Sequence, residues 1–228
     1  LFMDRKHAGL IMSESEIAAC DDFCESYKNF LDNAKTEREA VTTTIVLAEE
    51  EGFKEYKPGM ALKAGDKIYY NNRGKAIILA VIGSEPIEKG VHLAAAHIDS
   101  PRIDLKQNPL YEDNEIALFK THYYGGIKKY QWATIPLALH GVAVKKDGTK
   151  VTICIGEDEN DPVFFISDLL PHLAQEQSKR TLNEGIKGEE LNVLLGSYPF
   201  RSDDESELVK LNVINHLFEK YGIDEADF

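Results

Sequence analysis

In the stretch GVHLAAAHIDSPRIDLK, residues 90–106, an apolar run ends on a histidine and an aspartate two residues apart, His97 and Asp99. Alternate residues of an extended backbone point to the same side, so the imidazole and the carboxylate share one face. A rigid strand end that offers such a pair suits metal binding. A ring nitrogen coordinates, and the carboxylate orients the ring or approaches the metal itself. Pro101 keeps Ser100 extended and so fixes the direction in which the aspartate leaves the chain. The same spacing also serves as a plain polar cap on a strand end, and three residues do not separate the two readings.

The elements that must hold this pair can be read outward from it. Val91–Ala96 is apolar except for His92, which predicts a strand buried on both faces in a sheet covered by helices. In open sheets of that kind, sites gather beyond the carboxyl ends of the strands, where His97 stands. Upstream, Ser13 with Glu16 and Thr36 with Glu39 are two capping boxes. The first leads Ile17, Cys20, Cys24, Tyr27 and Leu31 at helical spacing. The second leads Val41, Thr44, Ile45 and Ala48 to a stop at Gly52. KIYYNNRGKAIILAVIG predicts two strands around Asn71–Gly74.

Beyond Lys106 the character changes. NPLYEDNEIALFKTHYYGGIKKYQW has the composition of a loop, and LALHGVAVKKDGTKVTICIG that of a hairpin turning at Asp147–Gly148 with type I′ geometry. Val151, Ile153 and Ile155 alternate with Thr152 and Cys154, as on a strand with one wet face. The last helix carries Leu208, Leu211 and Leu217 on one side and stops at Gly222, and Asp203, Asp204 and Glu205 favour the positive end of its dipole.

Composition narrows the function. The chain has 228 residues, 26 of them basic and 39 acidic, for a formal net charge of −13. That balance argues against nucleic acid, whose binding needs a basic face, and against an anionic membrane surface. There is no apolar run of about 18 residues. The start, LFMDRKHAGLIMSESE, lacks the core of a signal peptide. Three cysteines cannot all pair within one chain, and Cys20 and Cys24 are one helical turn apart rather than a CxxC, so buried thiols in a reducing cytoplasm are expected. No GxSxG elbow, Gly-rich phosphate loop or HExxH helix occurs, and no cysteine has a histidine nearby in sequence. Glu49–Glu51, Glu189–Glu190 and EDENDP read as solvated charges; the last lacks the glycine and spacing of a calcium loop.

Over most of its length, from about Ser26 onward, the chain resembles the M18 family of zinc aminopeptidases, the aspartyl-aminopeptidase type, and within it the bacterial aminopeptidase 1 group. HIDSPRIDLK is similar to the segment with that family's first metal ligand, KTEREAVTTTIVLAEEEGF to its second helix, YYGGIKKYQWATIPLALHGVAVKKDG to the opening of its inserted dimerisation domain, and LLPHLA to a later histidine-bearing segment. The resemblance implies that His97 is a metal ligand and that Asp99 supports it. It also implies that His172 reaches across a dimer contact to a neighbour's active site, where it binds substrate or the developing oxyanion.

The resemblance implies an α/β fold: a zinc-exopeptidase-like sheet covered by helices, contained here in part, with an inserted, mainly β dimerisation domain. Residues 1–106 would begin the catalytic domain, 107–220 form the insert, and 221–228 return to the first domain. Peptide substrates, two zinc ions and dimers assembled into a tetrahedral dodecamer are the implied partners. The family's remaining ligands, an aspartate, a Glu-Glu pair, a further acidic residue and a last histidine, fall beyond Phe228. Lys128 and Lys129 are the basic groups on offer should the substrate's first residue be acidic. The alternatives are a non-catalytic assembly module and another two-metal exopeptidase with its own β insert. The other histidines, His92 as a core residue, His122 in a loop, His140 in a strand and His216 on a helix, carry no assigned role.

Overall fold

Both capping boxes form. In the computed structural model, which describes residues 3, 5–202 and 206–227, helix α1 spans Glu14–Asp32 and helix α2 spans Glu37–Glu50. Ser13 accepts from the Glu16 amide and Glu16 from the Ser13 amide; Thr36 and Glu39 do the same. Each pair satisfies two amide donors that the first turn of a helix otherwise leaves unpaired. Gly52 ends α2 with φ of 84°, a conformation open to glycine without strain.

The chain divides into two compact units, residues 1–100 and 101–228. In the first, β1 (Lys54–Glu55) pairs parallel with β2 (Lys67–Asn72), which pairs antiparallel with β3 (Ala76–Val81). Helix α2 packs on β2 and β3 and buries Ala40, Val41 and Ala48. The phenol of Tyr69, on β2 and buried, donates to Glu49 of α2 at 2.7 Å. By contrast α1 buries none of its residues, and its stripe of Ile17, Tyr27 and Leu31 stays exposed. Spacing made that stripe, but nothing in its own unit covers it. Cys20 and Cys24 share that exposure, and Cys154 is exposed too, against the expectation of buried thiols.

Val91–Ser100 does not form the expected strand. The segment has no regular structure, and Val91–His97 is exposed throughout, His92 included. A strand exists only where a neighbour accepts and donates its backbone hydrogen bonds. No described segment pairs with this one, so apolar composition alone leaves it unpaired. The first unit thus holds a small three-stranded sheet with α2 packed on it, in a mixed α/β architecture.

The second unit starts at Pro101 rather than after Lys106, because RIDLK opens a long strand. Strand β4 (Arg102–Asp113) pairs antiparallel with β5 (Ile116–Tyr124), so most of the stretch read as loop is hairpin. The turn is Asn114–Glu115, with φ of 49° and 61°, the two positive angles that a type I′ turn requires. The register skips between Leu105 and Leu110, where buried Pro109, which has no amide to donate, sits in a bulge. Strand β8 (Val193–Gly196) pairs with β5 to give the order β4-β5-β8.

Strands β6 (Leu139–Val144) and β7 (Lys150–Ile155) form the expected hairpin, with a different turn. Gly148 takes a positive φ (85°) but Asp147 does not, and the Lys145 amide donates to the Thr149 carbonyl across a longer loop. A type I′ turn centred on Asp147–Gly148 would pair Lys146 with Thr149. The observed turn pairs Val144 with Lys150, shifting the hairpin by one residue. The expected alternation survives on β7: Val151 and Ile153 are half-buried and Ile155 buried, with Thr152 and Cys154 exposed.

Helix α3 (Leu208–Tyr221) ends at Gly222 as expected. Its core face is set by Val209, Val213 and Ile214 against Leu110, Ala117 and Phe119, rather than by the leucines. Asp203, Asp204 and Glu205 lie outside the described residues. The first turn is capped instead by Glu112 of β4, whose Oε2 accepts from the amides of Val209 (3.0 Å) and Lys210 (2.9 Å). Val209, whose amide makes one of these bonds, turns its side chain into the core. Ile223, after the helix, is buried, and residues 221–227 belong to this second unit rather than to the first.

Two outcomes are expected. Glu112→Ala should destabilise the second unit by about 1–3 kcal/mol, because two amides lose a charged acceptor; denaturant melts of wild type and variant measure it. The hydrogen bond to Glu49, then burial, pushes Tyr69 up to about 12. A group whose folded value lies above its unfolded value of about 10 stabilises the fold fully below that pH, and the contribution fades as pH rises toward the folded value. Stability should thus fall between about pH 10 and pH 12, and Tyr69→Phe should flatten that part of the curve, as melts across that pH range would show.

Candidate metal centre

His97 is held by its own chain. Its Nδ1 lies 2.9 Å from the carbonyl oxygen of Asp99 and 3.1 Å from Oδ1 of the same residue. With both acceptors on Nδ1, the ring proton belongs there and the Nε2 lone pair points away, the tautomer a metal ligand needs. The imidazole is 83% exposed while the Asp99 side chain is 39% exposed, so the carboxylate is the more enclosed partner. The geometry arises locally. Two residues of extended chain bring carboxylate and ring to one side, and Pro101 follows.

One ligand is not a metal site. Among the described residues, no three histidine, cysteine, aspartate or glutamate side chains come together to hold an ion. Structural and catalytic zinc sites use three or four protein ligands. His97 and Asp99 therefore fit the part of one ligand and its orienting carboxylate, and nothing in the described residues completes the set.

His172 stands in the second unit, on an exposed turn in which the Leu173 and Ala174 amides donate to the Leu170 carbonyl. Leu169, Leu170 and Leu173 around it are exposed as well. His97 and Asp99 share a hydrogen bond within the first unit, and His172 belongs to the second. The same unit holds a cavity of about 780 Å3 lined by Leu139, Ile155, Phe164, Val213 and Leu217, with His216 and Lys220; none of the three site residues lines it.

Each of the acidic clusters has at least one carboxylate with a partner. Glu49 accepts from Tyr69. Lys106 pairs with Glu189 at 2.6 Å and holds its carboxyl below the usual range. Arg180 pairs with Glu190 at 3.0 Å. In EDENDP, the Gly156 amide and then Lys220 hold Asp161 below the usual range. His122 sits on β5, stacked at 5.8 Å on Tyr123, whose other neighbour is the Lys129 ammonium. His140, which carries no role on sequence grounds, meets Glu157 through its Nε2 at 2.8 Å. Glu157 lies beyond the end of β7, past Gly156, so strand pairing alone does not signal the contact.

Comparisons with known proteins place the chain in a family. Residues 30–228 match the family described as Aminopeptidase I zinc metalloprotease (M18). A probable M18 family aminopeptidase 1 of Clostridium acetobutylicum is 55% identical over 208 residues, 90% of this chain and 45% of that protein. The crystal structure of an M18 family aminopeptidase from Thermotoga maritima superposes with a TM-score of 0.90 at 46% identity, covering 99% of this chain and 49% of that one. Aminopeptidase I from Borrelia burgdorferi gives 0.85 at 40% identity, covering 97% and 50%. The chain spans about half the length of the curated relatives it matches. By sequence and by fold, the chain belongs to the M18 aminopeptidase I family of zinc metalloproteases.

Proposed function

We propose that this chain is part of a zinc aminopeptidase that hydrolyses the first peptide bond of peptides, with two zinc ions at its centre. The observation that carries the reading is the His97–Asp99 pair, built as a zinc ligand with its orienting carboxylate, in a chain of M18 sequence and fold. When bound, zinc would polarise the scissile carbonyl and activate a water. The chain's own residues have narrower tasks. His97 would offer Nε2 to one ion. Asp99 would keep the ring in that tautomer and orientation, through a hydrogen bond on the far nitrogen. The remaining ligands would come from the part of the relatives' length that this chain does not span.

The second unit would be the inserted dimerisation domain. What supports this is its mainly β content and the exposed leucines at 169, 170 and 173, which suit burial against a second copy. His172, among those leucines, would then donate a hydrogen bond to substrate or oxyanion in a neighbouring copy's site. Dimers would assemble further, as a tetrahedral dodecamer. A reducing, cytoplasmic setting is supported by three cysteines that stand exposed as thiols. Among the described residues, no helix is long and apolar enough to cross a membrane.

A second reading, an assembly module without catalysis, is favoured by the lack of a three-ligand cluster among the described residues. Zinc content of the purified native protein separates the two: about two ions per chain for the enzyme, near zero for the module.

Three substitutions test the roles. His97→Ala should abolish hydrolysis of aminoacyl substrates and lower bound zinc, with the melting curve little changed. Asp99→Asn should reduce zinc affinity or turnover by roughly 10–100-fold, as loss of an orienting partner does. His172→Phe should lower turnover while zinc content stays at the wild-type level. Unchanged kinetics in that variant would end the cross-subunit role.

A further inference from the structure

The observed hairpin register puts Cys154 directly opposite His140. Both lie on the face away from Leu139 and Ile155, which line the cavity. Directly opposed residues of an antiparallel pair have Cβ atoms about 4.5–5.5 Å apart, within reach of proton transfer between thiol and imidazole. The His140 side chain is only 13% exposed, and its Nε2 is 2.8 Å from Oε1 of Glu157. A carboxylate on Nε2 holds the neutral ring's proton there and leaves the lone pair on Nδ1. From α3, the Tyr221 hydroxyl donates to the Cys154 carbonyl at 2.9 Å and fixes the backbone at that position. The thiol itself is exposed.

The other two cysteines provide the contrast. Cys20 and Cys24 are also exposed, on α1, among carboxylates. Desolvation, then Cys20, Asp21 and Glu25, push the Cys24 thiol up. Of three accessible thiols, one faces a histidine that is itself backed by a carboxylate. Thiolate, not thiol, is the nucleophile, so the neighbour decides the reactivity.

We propose that Cys154 is a reactive modification site for hydroperoxides and comparable small electrophiles, with His140 as its base and Glu157 positioning that base. His140 takes the thiol proton. The thiolate sulfur attacks the terminal oxygen of a hydroperoxide, a sulfur–oxygen bond forms, and the oxygen–oxygen bond breaks. The departing alkoxide or hydroxide takes the proton from the imidazolium and leaves as alcohol or water. Sulfur ends as a sulfenic acid and the peroxide is reduced, so protons and electrons balance without a further reactant.

The experiment is a time course of iodoacetamide labelling on the intact native protein at about pH 7, read cysteine by cysteine by peptide mass spectrometry. A parallel series with hydrogen peroxide and dimedone reads sulfenic acid. Cys154 should react about 5–10 times faster than Cys20 and Cys24, with a pH midpoint below the free thiol's value of about 8.5. His140→Gln should slow Cys154 to the rate of Cys20 in the same sample. Glu157→Gln, which keeps the ring and the hairpin, should slow it less and raise the midpoint. Dimedone should mark Cys154 first. Equal rates at the three cysteines, or a Cys154 rate and midpoint that neither variant moves, would overturn the proposal.

Discussion

Strand β4 meets β5 residue for residue from Arg102 to Leu105, skips four positions around Pro109, and resumes at Leu110. Much of the second unit depends on that pairing. It sets Glu112 where its carboxylate reaches the first turn of α3. It brings Leu110 and Phe119 to one side of the sheet, where Val209 and Val213 close over them. Backbone pairing of this kind specifies register wherever one face is buried, because a slip of one residue turns every side chain over. The same constraint runs through the rest of the chain. Val91–Ala96 is apolar enough for a strand but pairs with no described segment and stays exposed. Strands β6 and β7 have partners, and their turn decides which side chains meet.

That is why the local features were legible in the sequence and the long-range ones were not. Ser13–Glu16 and Thr36–Glu39 announce helix starts because each box is complete within four residues. Gly52 and Gly222 announce the stops for the same reason. The hairpin at residues 139–155 was legible as a hairpin, yet reading Asp147–Gly148 as the two central residues of its turn places its register one residue out. On that register His140 faces Ile155, whereas in the structure it faces Cys154. The β4–β5 hairpin hid behind Asn, Gly and Tyr content that reads as loop, although Asn114 can adopt the positive φ its turn requires. Glu112 as a helix cap was invisible, since its partner amides lie 97 and 98 residues away.

The candidate metal centre divides in the same manner. His97 and Asp99 are legible because their contact is two residues long and follows from extended geometry. His172 became a candidate only through the M18 resemblance. Its surroundings, an exposed turn of leucines, suit an interface but do not by themselves indicate catalysis. Sequence likeness over residues 30–228 and a TM-score of 0.90 to an M18 aminopeptidase then supply the context that an HxD alone does not. The carboxylate on Nδ1 is the physical link between that context and chemistry, because it leaves the other nitrogen ready to coordinate.

The central claim is that Nε2 of His97 binds zinc. Anomalous diffraction at the zinc edge, from crystals of the intact native protein, tests it most directly. The expected result is a zinc peak about 2.0–2.1 Å from Nε2 of His97, with Asp99 still on Nδ1. Zinc bound elsewhere with the His97 ring uncoordinated would contradict it.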